Sequence, residues 1–208
     1  MFDTRAKKER SLGTNLFLKP HRSATPKSAM IRRPHKPGIH GTSRRRRRLS
    51  EYGTQLQEKQ KFRFSYGLRE KAFRRIVSEA FNMQGVTGEL IINLLERRLD
   101  NVVYRLGFAP SRSVARQLVS HGHMFVNGRK VTIPSYRTRV GDRIKIRPQS
   151  KEKGDFKELH ERLKNYEEPG WLLMDKEKLE GSVKGQPKDT EMPFDVNMIV
   201  DYYSKIIK

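Results

Sequence analysis

The chain has 208 residues, no cysteine and a formal net charge of +22 at pH 7. It is long enough to bury one or two hydrophobic cores without disulfides, and the lack of cysteine excludes thiolate nucleophiles and every zinc site built on sulfur. The charge exceeds what solubility requires and indicates a polyanionic partner, either nucleic acid or an anionic membrane.

The apolar pattern disfavours the membrane. No stretch approaches the roughly 18 uninterrupted apolar residues that a spanning helix needs. Charged residues already occur throughout residues 1–10, and no apolar segment of signal-peptide length follows them before Lys19. We therefore expect a protein that stays inside the cell and meets nucleic acid.

Positive charge is graded along the chain. Residues 1–75 carry a net charge of +17, residues 76–149 carry +7 and residues 150–208 carry −2. Charge needed only for solubility has no reason to concentrate at one end. The amino-terminal third is therefore predicted to meet the polyanion over the widest area.

Residues 1–49 are predicted to form a basic, irregular arm, because prolines and glycines interrupt them and no periodicity is sustained. The arm closes with five consecutive arginines, which are Arg44, Arg45, Arg46, Arg47 and Arg48. We expect these arginines to contact phosphate. The alternative is a solvated or localisation-type basic run.

Helical patterns begin after the arm. Ser50 is a plausible cap for a helix over 51–63, and Gly67 marks a break. A second helix is predicted over 68–80, where apolar residues recur at helical spacing and Arg69 falls mostly off the stripe. The stripe consists of Leu68, Ala72, Ile76, Val77 and Ala80.

Two further helices are predicted in the middle of the chain. The first is a long helix that opens at Thr87 and ends at Gly107. Ser111 caps the second, which runs to about His121. Arg112, Arg116 and Gln117 lie near one another on it, close to an amino terminus whose dipole favours phosphate.

A small sheet should follow these helices. Asn127-Gly128 predicts a tight hairpin turn that projects Arg129 and Lys130 beside the preceding helix. Residues 143–147 alternate isoleucines with cations, the pattern of a strand with one buried face.

The last third is predicted to be mostly scaffold. Charges of both signs alternate over 150–165 and predict a solvated helix, and 169–173 predict a turn into buried structure. Apolar residues between Val196 and Ile207 predict a terminal helix that packs on the 68–80 helix. The alternative is a helix that binds a partner.

These elements predict an α+β protein. A helical subdomain over 50–88 is completed by 193–208, and a module over 89–150 packs two helices on a short, mostly antiparallel sheet. The irregular arm occupies 1–49, and 151–192 form a connecting scaffold.

Several segments resemble the RNA-binding module of the family of small-subunit ribosomal protein four. The segments of the module are Leu94–Gly107, Ser111–His121 and Val126–Gly128. The likeness extends to flanking segments, so that it covers nearly the whole chain; these are Pro37–Gly41, Leu49–Gly53, Gln55–Gln60, Thr87–Glu89 and Ile199–Lys205.

The resemblance implies a ribosomal RNA-binding protein of the small subunit, in the cytoplasm or, if organellar, in the plastid stroma. It implies binding to the 5′ domain of 16S rRNA early in assembly. It also implies ribosomal protein five as a neighbour, near the point where messenger RNA (mRNA) enters, and an influence on decoding accuracy there. Shape and phosphate recognition is the expected mode on structured RNA.

The resemblance also suggests contact residues. They are the arm arginines, Tyr52, Gln55, Lys59, Arg112, Arg116, Gln117, Ser120 and His121, to which the sequence pattern adds Arg69, Arg129 and Lys130. Tyr52 could equally belong to the core.

Two departures from the family stand out. Some members hold the arm with a cysteine zinc site that cannot exist here, and His21, His35 and His40 do not replace it, so we expect no metal and no cofactor. Ile39 stands where a polar residue is expected.

Enzymes that carry the same module form the alternative class. Pseudouridine synthases and a tyrosine-activating tRNA synthetase need an added catalytic domain, and the flanking segments show neither a phosphate-cradling glycine loop nor a cysteine-histidine cluster. We therefore expect no enzymatic activity. A third alternative, a basic chromatin protein, would prefer duplex DNA over folded ribosomal RNA.

Overall fold

The computed structural model describes residues 5–16, 18, 23, 25–43, 49–150, 156, 159–187 and 194–206. The chain divides into a helical unit, Met1–Ile91 with Glu191–Lys208, and a sheet unit, Ile92–Thr190. The helices are α1 (Arg5–Leu12), α2 (Ala29–Arg32), α3 (Glu51–Ser65), α4 (Glu70–Phe81), α5 (Thr87–Glu96), α6 (Leu99–Arg105), α7 (Arg112–Ser120), α8 (Leu159–Lys164) and α9 (Asn197–Ser204). The strands are β1 (Met124–Val126), β2 (Arg129–Lys130), β3 (Arg143–Ile146), β4 (Leu172–Asp175) and β5 (Glu180–Val183).

The two predicted helices after the arm are confirmed as α3 and α4. The Ser50 hydroxyl accepts a hydrogen bond from the Gly53 backbone N–H at 3.2 Å, as expected of a helix cap. The apolar stripe is confirmed at Leu68, Ile76, Val77 and Ala80, but Phe73 is fully buried in place of Ala72, which is exposed. The larger side chain takes the core position.

The terminal helix α9 completes the helical unit and packs mainly on α3, with a smaller contact to the 68–80 helix on which it was predicted to pack. Tyr203 makes the link to α4: its ring centroid lies 6.0 Å from that of Phe73, and its hydroxyl donates to Glu70 at 2.7 Å. Glu70 also pairs with the buried Lys59 of α3 at 2.9 Å. One carboxylate therefore connects three helices.

The amino-terminal arm is less irregular than predicted. It contains α1, α2 and a 3₁₀ turn over Ile39–Thr42. Polar contacts hold these pieces: the buried Glu9 carboxylate accepts the backbone N–H groups of Leu16 and Leu18, each at 3.3 Å. Such contacts leave no apolar periodicity to detect in the sequence. The arginines 44–48 lie outside the described residues.

The predicted single helix from Thr87 to Gly107 was wrong, because it is interrupted between α5 and α6. Arg98 adopts an extended conformation, with φ −67° and ψ 137°. The Leu99 N–H donates to the Tyr136 carbonyl at 2.8 Å, and the Thr138 N–H donates to the Arg97 carbonyl at 2.9 Å. Backbone pairing with a distant loop thus replaces helical hydrogen bonds.

The rest of the predicted module is confirmed. The Ser111 hydroxyl caps α7 by accepting the Val114 N–H, and Asn127 and Gly128 turn the hairpin with φ 50° and 78°. On β3, Ile144 and Ile146 are fully buried while Arg143 is exposed. The sheet is antiparallel with strand order β2-β1-β3-β5-β4, so β4 and β5, which were not predicted as strands, extend it.

Helix α8 is not the solvated helix that alternating charges predicted. Leu159 and Leu163 are buried in the core with α6 and the sheet, so only one face of the helix meets solvent. Gly107 makes room for it, since a Cβ there would lie 2.8 Å from Leu163 Cδ2. Residues 151–155 and 157–158 of the predicted helix lie outside the described residues.

Replacing Leu99 by alanine should lower the free energy of unfolding by about 2–5 kcal/mol, because it opens a cavity beneath α6. Leu99 is fully buried, whereas Leu173, at 44% exposure, offers a matched control whose truncation should change little. Chemical denaturation of both variants measures the difference. Equal losses for the two variants would contradict the assigned core.

Replacing Tyr203 by phenylalanine should destabilise the protein by about 1–3 kcal/mol at pH 7, because a hydrogen bond to a charged group is lost. Burial alone would raise the pKa of Glu70, but the hydrogen bonds from Tyr203 and Lys59 outweigh it and lower that pKa. A depressed carboxyl pKa stabilises the folded state above the unfolded value, ~4.3, and this stabilisation disappears as the pH falls through the folded value.

The stability difference between the Tyr203→Phe variant and the parent chain should therefore narrow as the pH falls below ~4. Urea unfolding at neutral and acidic pH measures it. A difference that stays constant with pH would show that the Tyr203 hydroxyl acts independently of the Glu70 charge.

Candidate nucleic-acid interface

The two predicted arginines of α7 are held by polar side chains of α6. Arg116 donates to Asp100 Oδ2 through Nη2 at 2.7 Å and through Nε at 3.1 Å. Arg112 donates through Nε to Asn101 Oδ1 at 2.7 Å, and its guanidinium carbon lies 4.7 Å from the Tyr104 ring centroid. Both guanidinium groups are therefore fixed in direction before any ligand arrives.

Two buried carboxylates organise this cluster. Asp100 is 4% exposed and forms a bidentate pair with Arg98, at 2.9 and 3.1 Å. Glu96 is fully buried and forms a second bidentate pair with Arg105, at 2.9 and 3.0 Å. Asn101 donates to Glu96 at 2.7 Å and accepts from Arg112, and so joins Glu96 to α7.

We call these residues the arginine cluster: Glu96, Arg98, Asp100, Asn101, Arg105, Arg112 and Arg116. Four arginines meet two carboxylates, so the cluster keeps an excess of positive charge. Bidentate pairing with a buried carboxylate restricts the guanidinium groups of Arg98 and Arg105, and hydrogen bonds to Asp100 and Asn101 restrict those of Arg116 and Arg112. The arrangement can present hydrogen-bond donors to a phosphate backbone at a small entropic cost.

Sequence reasoning missed the supporting half of this cluster. It assigned the segment containing Glu96 and Asp100 to a single helix with a structural face. Two carboxylates four residues apart within that apolar segment were the available signal, because a buried charge needs a partner. The arginines downstream were the candidates to supply it.

The remaining α7 candidates extend the surface toward the end of the helix. Gln117, Ser120 and His121 are exposed. Lys130 lies directly beside this end, since a Cβ added at Gly122 would overlap its side chain. Gly122 has φ 74°, a conformation that favours glycine. Arg129 is exposed at the hairpin turn next to Lys130.

His123, which follows the end of α7, has several positively charged neighbours. Burial is the main cause that lowers the pKa of His123, and the nearby positive charges of His121, Arg147 and Lys130 lower it further. Its Nδ1 lies 2.9 Å from the Ser150 hydroxyl. The histidine is thus held neutral beside cations that attract a polyanion.

Of the described residues of the helical unit that were predicted to contact RNA, two are exposed and two are buried. Tyr52 is 57% exposed, with its ring centroid 5.6 Å from that of Tyr202, and Arg69 is exposed. Gln55 and Lys59 are 2% and 5% exposed, so both lie inside the unit instead of on its surface. Lys59 pairs with Glu70, and burial of a lysine requires such a partner.

The part of the chain that the structure describes shows neither a metal site nor a membrane span. Among these residues no group of three or more histidine, aspartate and glutamate side chains could hold a metal ion. Within the same residues, no helix has the length and apolarity required to cross a membrane.

Comparison with known proteins gives matches along most of the chain. The family described as "Ribosomal protein S4/S9 N-terminal domain" matches residues 2–96, and the family described as "S4 domain" matches residues 97–144. The second match contains most of the arginine cluster and both strands of the hairpin.

Curated relatives cover nearly the full length. Small ribosomal subunit protein uS4 of Caldicellulosiruptor bescii is 51% identical over 195 residues, which is 93% of each chain. The uS4 proteins of Syntrophomonas wolfei and Gloeobacter violaceus are each 49% identical, over 93% and 94% of both chains. These relatives are structural proteins of a family that is not enzymatic. The chain therefore belongs to the uS4 family of small ribosomal subunit proteins.

Proposed function

We propose that this chain binds the 5′ domain of 16S rRNA early in assembly of the small ribosomal subunit and holds that domain folded. The observation that carries the proposal is the arginine cluster, in which the buried side chains of Asn101 and Asp100 fix Arg112 and Arg116 on α7. The names of the relatives support the same location, the small subunit.

Recognition through phosphates and shape fits this surface. Structured RNA has a deep, narrow major groove that side chains rarely enter, so its backbone is the accessible feature. Preset guanidinium forks match phosphate oxygens, and α7 presents its amino-terminal N–H groups nearby. The exposed residues Gln117, Ser120, His121, Arg129 and Lys130 would extend the contact by neutral and charged hydrogen bonds.

The helical unit would add a second region of contact. The net charge of residues 1–75 is +17, and the arm arginines 44–48 belong to this segment. Exposed Tyr52 and Arg69 are the remaining candidates of this unit, whereas buried Gln55 and Lys59 would act by supporting its helices.

Two further partners belong to the proposal. We infer from family membership that the chain neighbours ribosomal protein five and mRNA near the point where it enters the ribosome, and that it influences decoding accuracy there. Dissociation of ribosomal protein five from reconstituted subunits that lack this chain, compared with complete subunits, tests the first part.

Replacing Arg112 or Arg116 by alanine should weaken binding to a transcript of the 16S 5′ domain. Each lost phosphate contact should lower the slope of log affinity against log salt concentration by about one unit. Fluorescence anisotropy over a salt series measures the slope. Lys178→Ala removes the same charge at a 76% exposed position and is the matched control. A slope equal to the parent's would remove the tested arginine from the interface.

Replacing Asp100 by asparagine distinguishes two effects on RNA binding: the orientation of the arginines and the net charge of the cluster. The change removes a negative charge and should tighten RNA binding if only electrostatics mattered. It also replaces one of the two carboxylate oxygens that accept from Arg98 and Arg116 by an NH2 donor, which loosens the orientation of both arginines, and we therefore expect weaker binding. Glu177→Gln, at an exposed position, is the control for charge. Tighter binding by the Asp100→Asn variant, with an unchanged thermal melt, would contradict the positioning role.

A further inference from the structure

The outer face of the sheet carries an aromatic side chain that the core does not explain. On β1, Met124 and Val126 are buried at 0% and 3% exposure, while Phe125 between them is only partly buried. Side chains alternate between the faces of a strand, so Phe125 lies on the face away from the core. Among the described residues it is not part of the hydrophobic core cluster.

Two lysines flank this ring. The strand register places Phe125 opposite Lys130 on β2 and opposite Lys145 on β3. Residues directly opposite across antiparallel strands have Cβ atoms about 5 Å apart on the same face. Phe125 therefore has one lysine on the strand to either side, with roughly 10 Å between the backbones of β2 and β3.

Further along β3 the next residue on this face is also a cation, whereas the neighbouring strands β5 and β4 carry carboxylates. Arg147 follows Lys145 by two residues, and its N–H donates to the His123 carbonyl at 2.8 Å, so the pairing of β1 with β3 extends beyond Phe125. On the other side of Lys145, the register continues to Glu180 and then to Asp175. Lys130, Lys145 and Arg147 thus lie on the half of the face that carries Phe125, and carboxylates lie on the other half.

An aromatic ring among cations is the combination that single-stranded nucleic acid requires. A base presents a π face that stacks on an aromatic side chain, and its flanking phosphates need positive charge. Bases within a duplex are already stacked, so the free faces belong to loops, bulges and ends. The acidic half of the sheet would repel a strand placed there and so restricts its position to the basic half.

We propose that Phe125 stacks on an unpaired base of RNA and that Lys130, Lys145 and Arg147 hold the phosphates on either side of it. This inference rests on the proposed RNA-binding function and adds a ligand class to it. The site lies on the sheet face opposite the one that packs on α7, so it is separate from the phosphate contacts of Arg112 and Arg116. Lys130, beside the end of α7, connects the two surfaces.

The test uses the full chain and a single-stranded RNA of about six nucleotides, within the span that one small binding surface covers, with a central 2-aminopurine. Stacking on Phe125 should quench the fluorescence of this base. Phe125→Leu keeps an apolar side chain on the sheet but removes the π face, and should weaken oligonucleotide binding by roughly 5- to 150-fold. Phe125→Trp should retain binding.

Leu173→Ala is the matched control, because Leu173 is an exposed apolar residue of β4 that pairs with Ser182 and not with a lysine. Its binding should equal that of the parent chain. Lys145→Gln provides a second variant that leaves the ring intact. It should lower the salt slope of oligonucleotide binding by about 0.7 unit, the value for one contact to a single strand, whereas Phe125→Leu should lower affinity without changing the slope.

The possible failures are distinguishable. Equal affinity and equal quenching for the parent chain and Phe125→Leu would overturn the stacking site, even if binding to the 16S 5′-domain transcript stays intact. If Phe125→Leu does not fold, an unchanged slope for Lys145→Gln would overturn the site instead. Failure of the parent chain to bind the transcript would overturn the proposed function itself.

Discussion

The sheet unit depends on two buried carboxylates, Glu96 and Asp100, and on the arginines that neutralise them. Four guanidinium groups collected on one small surface would repel one another without these acids. Buried ion pairs contribute little net stability, but removal of one partner leaves an uncompensated charge and is costly. Their effect here is geometric, because they fix the arginines in the directions from which a polyanion can be bound.

In the helical unit, too, a carboxylate pairs with several cations, but there it joins helices and does not orient surface arginines. Glu70 collects Lys59 and Arg63, together with the Tyr203 hydroxyl, and so joins α3, α4 and α9. Lys59 is thereby withdrawn from the surface, whereas Arg116 remains partly accessible at 36% of its side chain. The net charge of +22 thus describes two populations of cations, those that hold the fold and those that face solvent.

The cations proposed to bind RNA lie on both sides of one small sheet. On the core side, α7 offers donors in fixed directions, which suits a regular phosphate backbone. On the outer side, the row through Phe125 combines a π face with flexible lysines, which suits an unpaired nucleotide. A folded RNA contains both kinds of feature close together, so a single module can hold a helix and an adjacent loop at once.

The amino-acid sequence alone determined the features that depend on neighbouring residues. The Ser50 and Ser111 caps, the Asn127-Gly128 turn and the alternation through Ile144 and Ile146 follow from local hydrogen bonding and side-chain period. The family resemblance further identified the α7 arginines as contact candidates.

Tertiary structure decided whatever depends on residues far apart in the chain. Backbone hydrogen bonds with Tyr136 and Thr138 interrupt the predicted long helix. The ion pair with Glu70 keeps Lys59 buried. Strands β4 and β5 extend the sheet. Leu159 and Leu163 are buried in the core, although the alternating charges around them had predicted a solvated helix. A local pattern cannot specify these outcomes, because the free energy of each depends on the partner that folding brings next to it.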